Sequence, residues 1–359
     1  MTVRMLLRQV KLENLLSFRN AEVELRGLNV LIGAKASGKS NFIEAIGLLQ
    51  AAPVDLSTAI LSLGGVRVVC SLAMPAYSTI ASIHCSSIND QPEQYRLEFS
   101  EEAHGFIVNM EHFRSLAPEL TYFERIGGKV RFGANFSSIS PSQSVFELYK
   151  SPADPTPTTR VGQAFESIRI YREFRTAGNS QSRRGVSTST RKDFLDDQGD
   201  NLALVLLDMD FKGLHDGVRA YLHRFCDRFD DVKVRLDGPI AKTYIEESGL
   251  LEPLVSWRLS DGTLKFLCLL AVLLEPEPPP LICIEEPEVG LHPEAIQIVA
   301  EALVEASERT QLIVTTHSEA LIDALSERPE DVLVTERDAD NGTQFRRLDK
   351  RQLSLWLER

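Results

Sequence analysis

The sequence predicts an α/β fold with a mixed sheet, assembled from both ends of the chain around two inserted parts. Near the N-terminus an apolar run at 28–33 ends in glycine, and residues 40–50 follow as a helix with one apolar face. From about residue 231 the chain returns to alternating strands and helices. Short apolar runs typical of buried parallel strands lie there at 281–284, 312–315 and 331–335. We expect one α/β lobe made of residues 1–60 and 231–359.

Two stretches between these ends differ from the α/β lobe in composition. Residues 61–136 contain short β-rich runs separated by turn residues, which indicates an inserted antiparallel β lobe. The runs lie at 66–72, 78–85, 94–99, 106–110, 120–123 and 129–132. Residues 137–159 are rich in Ser, Pro and Thr and are predicted to be a linker. Residues 160–230 are predicted to form a helical lobe, interrupted at 176–190 by a mobile loop rich in Ser, Gly and Arg.

The composition is typical of an ordinary soluble globular protein, with 43% hydrophobic and 25% charged residues. The longest apolar run, 266–274, is far shorter than the ~18–20 residues that a membrane span needs. The N-terminal residues lack the apolar stretch and the cleavage site of a signal peptide. We therefore expect a cytoplasmic protein with no membrane partner.

A glycine-rich loop lies between the first apolar run and its helix, and it matches the P-loop pattern G-x-x-x-x-G-K-[ST]. Its glycines let the backbone curl so that N–H groups face phosphate oxygens, and the following helix directs its positive end at the same anion. Lys39 would hold the β- and γ-phosphates of ATP, and the Ser40 hydroxyl would bind Mg²⁺. The candidate ATP-binding residues of this loop are Gly33, Ala34, Lys35, Ala36, Ser37, Gly38, Lys39, Ser40 and Asn41.

An apolar strand candidate at 281–284 delivers two carboxylates, Glu285 and Glu286, at its carboxyl end. Glu285 would bind Mg²⁺ together with Ser40, and Glu286 would polarise the water that attacks the γ-phosphate. Four apolar residues before two acids form a weak pattern alone, but the pattern becomes specific beside a P-loop. The candidate catalytic residues are therefore Glu286, Lys39 and His317.

Two further motifs accompany these, at residues 259–263 and at His317. The sequence LSDGT at 259–263 precedes an apolar helix and resembles the ABC signature motif. That resemblance implies that Ser260 and Gly262 form a second anion site at the helix N-terminus. An ordinary helix N-cap explains the same residues equally well. His317 follows the strand at 312–315, where an imidazole would sense a γ-phosphate, although a lone histidine is more often structural.

The order and spacing of these motifs resemble the RecF/SMC-like branch of ABC-type ATPases. More narrowly, they resemble the OLD-like predicted AAA-type ATPases. The resemblance rests on KLENLLSF and GLNVLIGAKASGKSNFIEAI near the start, then LSDGTLKFLCLLAVLL, EEPEVGLHPEAI and TTHS. It covers about 5–50 and 255–325 well and the middle of the chain only loosely.

This resemblance implies an ABC-type P-loop NTPase that forms a homodimer, in which two subunits enclose two ATP molecules. Ser260 and Gly262 of each subunit would complete the ATP site of the other, and residues 288–292 would lie at the dimer seam. Asp261 stands where the common ABC signature has Gly, and Glu285 where the Walker B motif usually has Asp. We expect an ATP-binding domain without the nuclease domain of full OLD enzymes.

A basic stretch lies within the predicted helical lobe, between residues 160 and 192. The chain has a net charge of −12, so any nucleic-acid binding would need a local basic patch of this kind. Contact with a DNA backbone, a solvated loop and an intersubunit set of salt bridges are all open interpretations. The basic residues are Arg160, Arg169, Arg172, Arg175, Arg183, Arg184, Arg191 and Lys192.

The sequence favours an ATP-hydrolysing switch that acts on DNA or on a separate effector protein, in DNA repair or anti-phage defence. The alternative is a clamp that binds ATP, hydrolyses it slowly or not at all, and regulates a partner protein without contacting DNA. A transporter subunit is disfavoured by the OLD-like start and by GLHP after the two glutamates.

Overall fold

The computed structural model describes residues 5–70, 81–86, 88–102, 105–149, 156–190, 193–338, 340–348 and 351. The strands are β1 (Gln9–Leu15), β2 (Phe18–Glu24), β3 (Leu28–Ile32), β4 (Ala81–Ser86), β5 (Glu93–Glu102), β6 (Gly105–Leu116), β7 (Glu119–Ile126), β8 (Lys129–Phe132), β9 (Asn135–Ser138), β10 (Arg169–Tyr171), β11 (Val186–Ser187), β12 (Phe229–Asp237), β13 (Ile240–Glu247), β14 (Leu254–Val255), β15 (Leu281–Glu285), β16 (Gln311–Thr315), β17 (Val332–Asp338) and β18 (Gly342–Arg347). The helices are α1 (Lys39–Ala51), α2 (Leu56–Ser62), α3 (Val66–Val69), α4 (Val145–Leu148), α5 (Pro157–Glu166), α6 (Gln181–Arg184), α7 (Leu202–Phe211), α8 (His215–Phe225), α9 (Asp261–Leu273), α10 (Pro293–Ala306) and α11 (Glu319–Ala324).

A mixed sheet dominates the fold, and its parallel part positions the functional residues. The sheet runs β10-β15-β16-β3-β17-β18-β2-β1-β4-β5-β6-β7-β8-β9, and the first five strands are parallel to one another. Parallel strands bring their carboxyl ends to one edge, so the segments that follow β3, β15 and β16 meet there. The predicted α/β fold with a mixed sheet is confirmed.

Every residue of β3 and the first four of β15 are buried, because helices cover both faces of the parallel part. On one face Leu31 packs with apolar residues of α1 such as Phe42 and Ile46. On the other face Val30 packs with α9 and α10. This two-sided burial explains why these strands appear in the sequence as continuous apolar runs.

The strands predicted between 78 and 132 are β4 to β8, and they continue the same sheet as an antiparallel extension. The strand predicted at 66–72 was wrong at its start, because Val66–Val69 form the short helix α3. Gly65 adopts a φ of 87° before it, and Val66 and Val69 are buried on one side of the turn. Residues 71 and 72, and residues 78–80 at the start of the next predicted strand, lie outside the described residues.

The part predicted to be helical contains α5, α7 and α8, but it also contributes two strands. β10 pairs in parallel with β15 and forms the edge of the main sheet, with Tyr171 opposite Ile284. β11 pairs with β13 in a second sheet, ordered β11-β13-β12 with β14 beside β13. The segment expected to be a mobile loop at 176–190 thus carries both α6 and β11. Within the described ranges, no helix has the length and apolar character to span a membrane.

Candidate functional site

The loop between β3 and α1 has the backbone shape that its glycines predict. Gly33 has a φ of 146° and Gly38 a φ of 109°, in a region that favours glycine. A Cβ atom on Gly33 would lie 2.3 Å from the carbonyl oxygen of Thr335, so any side chain would clash with backbone. Ala36 between them also has a positive φ, 61°. The loop is therefore curled tightly against β17.

Two threonines of the β17–β18 hairpin hold this loop in place. The hydroxyl groups of Ser37 and Thr335 lie 2.7 Å apart, and Thr343 Oγ1 donates to the Ser37 carbonyl oxygen at 2.8 Å. α1 then begins at Lys39 with no side-chain cap and no acidic residue in its first turn. Its first N–H groups are consequently available to an anion, in the field of the helix N-terminus.

The Lys39 ammonium group lies inside the curled loop. It donates to the carbonyl oxygens of Gly33 at 2.8 Å and Ala34 at 3.1 Å, and the residue is 5% exposed. Burial lowers the pKa of Lys39, while the nearby carboxylates of Glu286 and Glu288 raise it. The cation is thus at the centre of the loop and within the field of the acids after β15.

Glu285 closes β15 and lies beside the start of α1. Burial raises its pKa, and a hydrogen bond from Ser40 and the charge of Arg172 lower it. Its Oε1 atom is 3.3 Å from Arg172 Nη1, yet it is buried without a well-formed hydrogen bond. A carboxylate oxygen and the Ser40 hydroxyl are ligands of the kind that Mg²⁺ prefers.

The number of protein ligands, two, also agrees with a magnesium site. Mg²⁺ usually keeps several waters and takes only one or two protein ligands beside phosphate oxygens. Ser40 and Glu285 therefore fit a Mg²⁺ ion that is bound together with a nucleotide.

Glu286 and His317 face the loop from the neighbouring strand ends. Glu286 has a φ of 44°, a strained value for a residue with a side chain, and its N–H donates to the Thr315 carbonyl oxygen at 2.9 Å. Its side chain is 46% exposed, with Oε1 3.8 Å from Nε2 of His317. The strained backbone turns the carboxylate away from the strand and into open space.

These residues enclose a cleft of about 590 Å³, which we call the P-loop cleft. Its volume suits a ligand of nucleotide size. The lining residues are Lys35, Ala36, Ser37, Gly38, Lys39, Ser40, Asn41, Glu286, His317 and Arg337. Gly33 and Ala34 contact the cleft's lysine through their carbonyl oxygens, and Glu285 joins it through Ser40.

Glu288, which the sequence placed only at the dimer seam, holds the backbone at His317. It accepts hydrogen bonds from Thr316 Oγ1 at 2.7 Å and from the backbone N–H of His317 at 2.9 Å. Its second oxygen is buried without a partner in the described structure. A carboxylate spaced two residues after Glu286 is the sequence feature that points to this role.

Ser260 and Gly262 lie in the segment 259–263, called here the signature loop, and are not among the residues lining the P-loop cleft. Ser260 is the N-cap of α9 and accepts from the Thr263 N–H at 3.0 Å, so the N-cap interpretation holds. A Cβ atom on Gly262 would lie 2.8 Å from the Gly290 carbonyl oxygen. Within one chain the signature loop therefore contacts the segment after Glu286.

Comparison with known proteins identifies the family. A family model described as "AAA domain, putative AbiEii toxin, Type IV TA system" matches residues 28–323. The chain belongs to this AAA family. A comparison with curated proteins finds no match.

Two solved structures have the same fold as this AAA-family chain. One is an SMC head bound to the C-terminal winged-helix domain of ScpA, with a TM-score of 0.57 at 12% identity, covering 96% of this chain and 98% of that one. The other is an Smc head with an extended coiled coil, bound to the C-terminal domain of ScpA from Pyrococcus furiosus. It has a TM-score of 0.55 at 11% identity, covering 98% of both chains. The chain thus belongs to an AAA family by sequence and shares the fold of these SMC heads.

The arginines of the basic stretch in this AAA-family chain contact groups of their own chain. Arg191 and Lys192 lie outside the described residues. The remaining contacts favour an internal salt-bridge set over a free basic surface. They are Arg160 with Glu93, Arg169 with the Phe194 ring, Arg172 with Glu44 and Glu285, Arg175 with Asp200, Arg183 with Asp261, and Arg184 with Asn179.

Arg337 lines the P-loop cleft, although it belongs to none of the sequence motifs. It lies on β17 beyond the end of β3, two residues after Thr335 and opposite Thr343. Residues two apart on a strand, and directly opposed residues, share one face of a sheet. Since both threonines contact Ser37, the side chain of Arg337 lies on the face toward the P-loop. The alternation in VTERD after an apolar strand is the sequence feature that would have found it.

Proposed function

We propose that this protein hydrolyses ATP with Mg²⁺ in the cytoplasm, as a homodimer that encloses ATP between its subunits and works as a switch on a separate effector protein. The observation that carries the proposal is the P-loop cleft, where the loop of Lys39, the carboxylate of Glu286 and the imidazole of His317 converge. Glu285 and Ser40 adjoin it as the metal-binding pair.

The polar residues in and beside the cleft would have separate parts in hydrolysis. A Mg²⁺ ion held by Ser40 and Glu285 would supply positive charge to the phosphate oxygens. The N–H groups at the start of α1 and the Lys39 ammonium bind the phosphates and stabilise the charge that develops on them. Glu286 accepts the proton of the attacking water, and its exposed carboxylate is directed into the cleft by the strained backbone. His317, whose backbone N–H is bound by Glu288, lines the same cleft and would donate a hydrogen bond to the γ-phosphate.

The dimer is proposed because the signature loop and the P-loop cleft are separate within one chain. Ser260 and Gly262 stand at the N-terminus of a helix of 13 residues, which favours an anion, but their own cleft does not include them. A second copy related by two-fold symmetry would bring its signature loop to the P-loop cleft of the first copy. By the same symmetry, the signature loop of the first copy would meet the P-loop cleft of the second. Val289, 54% exposed between Glu286 and α10, would lie at that contact.

An effector protein is proposed as the output in preference to DNA. The described arginines of the basic stretch are engaged within the chain, which leaves little free positive charge for a phosphate backbone. The two similar SMC heads are each bound to a domain of ScpA. The family's description names a putative toxin, and this favours a defence setting over DNA repair.

Phosphate release by the wild type and by Glu286→Gln tests the hydrolysis step. We expect Glu286→Gln to bind Mg·ATP, to accumulate as a dimer in size-exclusion chromatography, and to lose at least about 100-fold of phosphate release. The amide keeps the shape of the side chain but cannot accept a proton. A wild type that releases no more phosphate than this variant, with or without added DNA, supports the non-hydrolysing clamp instead.

A further inference from the structure

The signature loop of this chain carries an acidic residue next to the proposed phosphate-binding serine. Asp261 is the first residue of α9, and its side chain is 69% exposed. A carboxylate suits the positive end of a helix, but it repels a phosphate brought to the same end. The common form of the motif has glycine at this position and avoids the conflict. The loop here needs a compensating charge.

Arg183 provides that charge from the basic stretch. Its Nη2 atom donates to Asp261 Oδ1 at 2.5 Å, and its Nη1 atom donates to the carbonyl oxygen of Leu259 at 2.7 Å. The side chain is only 11% exposed, so it is held in place by packing as well as by hydrogen bonds. A planar guanidinium group can satisfy a carboxylate and a carbonyl at once, which an ammonium group cannot do in fixed geometry.

The contact between the two segments is reciprocal. Arg183 also donates to the carbonyl oxygens of Thr176 and Trp257, while Ser256 Oγ donates back to the Arg183 carbonyl oxygen at 2.6 Å. The segment around α6 is therefore bonded to Ser256 and Trp257 before the signature loop, and to Leu259 and Asp261 on either side of Ser260.

We infer that Arg183 is a positioning residue for the signature loop: it neutralises Asp261 and holds Ser260 and Gly262 in the arrangement that receives the γ-phosphate of the partner subunit's ATP. This inference rests on the proposed function of the dimer. Arg183 touches no nucleotide itself and acts through Asp261 and the Leu259 carbonyl.

The same loop is connected to the residues that follow β15. Gly262 packs against the Gly290 backbone, and Lys265 Nζ donates to the carbonyl oxygens of Val289 at 2.5 Å and Glu286 at 3.5 Å. A change at Arg183 would therefore be transmitted through the signature loop to the backbone of the catalytic carboxylate.

The test compares Arg183→Ala with Arg184→Ala, a matched control on the next residue, which bonds to Asn179 outside the site. We expect Arg183→Ala to lower kcat for phosphate release by about tenfold or more, with the Kd of the single chain for ATP within about twofold of the wild type. Arg184→Ala should keep both values. In a Glu286→Gln background, Arg183→Ala should also weaken the ATP-dependent dimer.

Removing the carboxylate of Asp261 shows whether Arg183 acts by compensating its charge or only by supporting the fold. In Arg183→Ala the carboxylate of Asp261 is unpaired, so adding Asp261→Gly should recover a large part of kcat. Arg183→Lys keeps the charge and the fold but loses the two-pronged contact, and it should fall between wild type and Arg183→Ala. Unfolding temperatures of all variants identify any that fail to fold, in which case Arg183→Lys carries the test.

Equal turnover in Arg183→Ala and Arg184→Ala overturns the inference, as does a loss that Asp261→Gly leaves unchanged. If Arg183→Ala is unfolded, wild-type kcat in Arg183→Lys overturns it too. A wild type without ATP turnover and without an ATP-dependent dimer refutes the proposed function instead. The two failures are therefore distinguishable in one set of measurements.

Discussion

The P-loop cleft and the signature loop differ in how completely a single chain builds them. The cleft has its glycines, lysine, carboxylate and histidine in one place, supported by hydrogen bonds from Thr335 and Thr343. The signature loop is just as well supported, by Arg183 and by the backbone of Gly290. Its residues, however, are not among those that line the P-loop cleft of the same chain. The signature loop is therefore ordered by contacts within the single chain, and the proposed dimer would use a loop that is already formed.

The largest expected effect comes from inactivating the P-loop cleft in one subunit and the signature loop in the other. Lys39→Ala should remove phosphate binding within the chain, and Ser260→Ala should remove it in trans, each lowering turnover by about 100-fold. In a mixture of the two variants, half of the dimers contain one intact composite site. Phosphate release in that mixture should therefore return to about a quarter of the wild-type value.

Titration of one variant with the other gives the control for this prediction. Adding Ser260→Ala to a further sample of Ser260→Ala should recover nothing. Mixed samples that stay as inactive as their components, although both variants still dimerise, would contradict a signature loop that acts in trans.

Two glycines give a smaller effect that sharpens the same comparison. Alanine at Gly33 would bring Cβ within 2.3 Å of the Thr335 carbonyl oxygen, and alanine at Gly262 would bring it within 2.8 Å of the Gly290 carbonyl oxygen. Both neighbours are backbone atoms that cannot swing away. We expect Gly33→Ala to weaken ATP binding by about tenfold or more, and Gly262→Ala to leave ATP binding intact while lowering kcat by a similar factor.

Calorimetric titration with a non-hydrolysable ATP analogue, beside steady-state kinetics, measures both quantities. Gly178→Ala is a useful control, since a Cβ atom there has open space around it. The comparison fails if the Gly262→Ala variant loses ATP affinity as severely as the Gly33→Ala variant does.

The features that the sequence predicted well are those encoded by neighbouring residues. A strand, a glycine-rich turn and a helix follow one another within 28–51, so their period and turn chemistry are sufficient to predict the P-loop. The same holds for Glu285 and Glu286 at the end of an apolar run. Their proximity to Lys39 followed from the rule that parallel strands share a carboxyl edge.

The features that the sequence did not predict depend on contacts between distant residues. β10 is only three residues long and becomes a strand because β15 lies beside it. Arg337 reaches the cleft only because β17 pairs with β3. These strands are far apart in the chain, since the hydrogen-bonded residues Thr335 and Ile32 are 303 positions apart. Arg183 was grouped with a basic patch by composition, although its partners lie at 257–261.

Arg337 gives the smallest expected effect and tests whether the cleft extends beyond its motifs. Its guanidinium is on the P-loop face of the β17–β18 hairpin and forms no ion pair with other described side chains. A contact with phosphate oxygens would be charge-assisted, but the residue is exposed, which weakens it. We expect Arg337→Ala to weaken ATP binding by about fivefold, with a smaller effect on ADP and AMP.

Arg346→Ala is the matched control, because Arg346 is on the opposite face of the same hairpin, paired with Glu336 at 3.0 Å. Measured by titration at low and at high salt, the ATP affinity of Arg337→Ala should depend less on ionic strength than that of the wild type, since one cation has been removed. Identical ATP affinities for Arg337→Ala and Arg346→Ala would confine phosphate recognition in this chain to the loop of Lys39. The hairpin would then serve only as the support that holds Ser37.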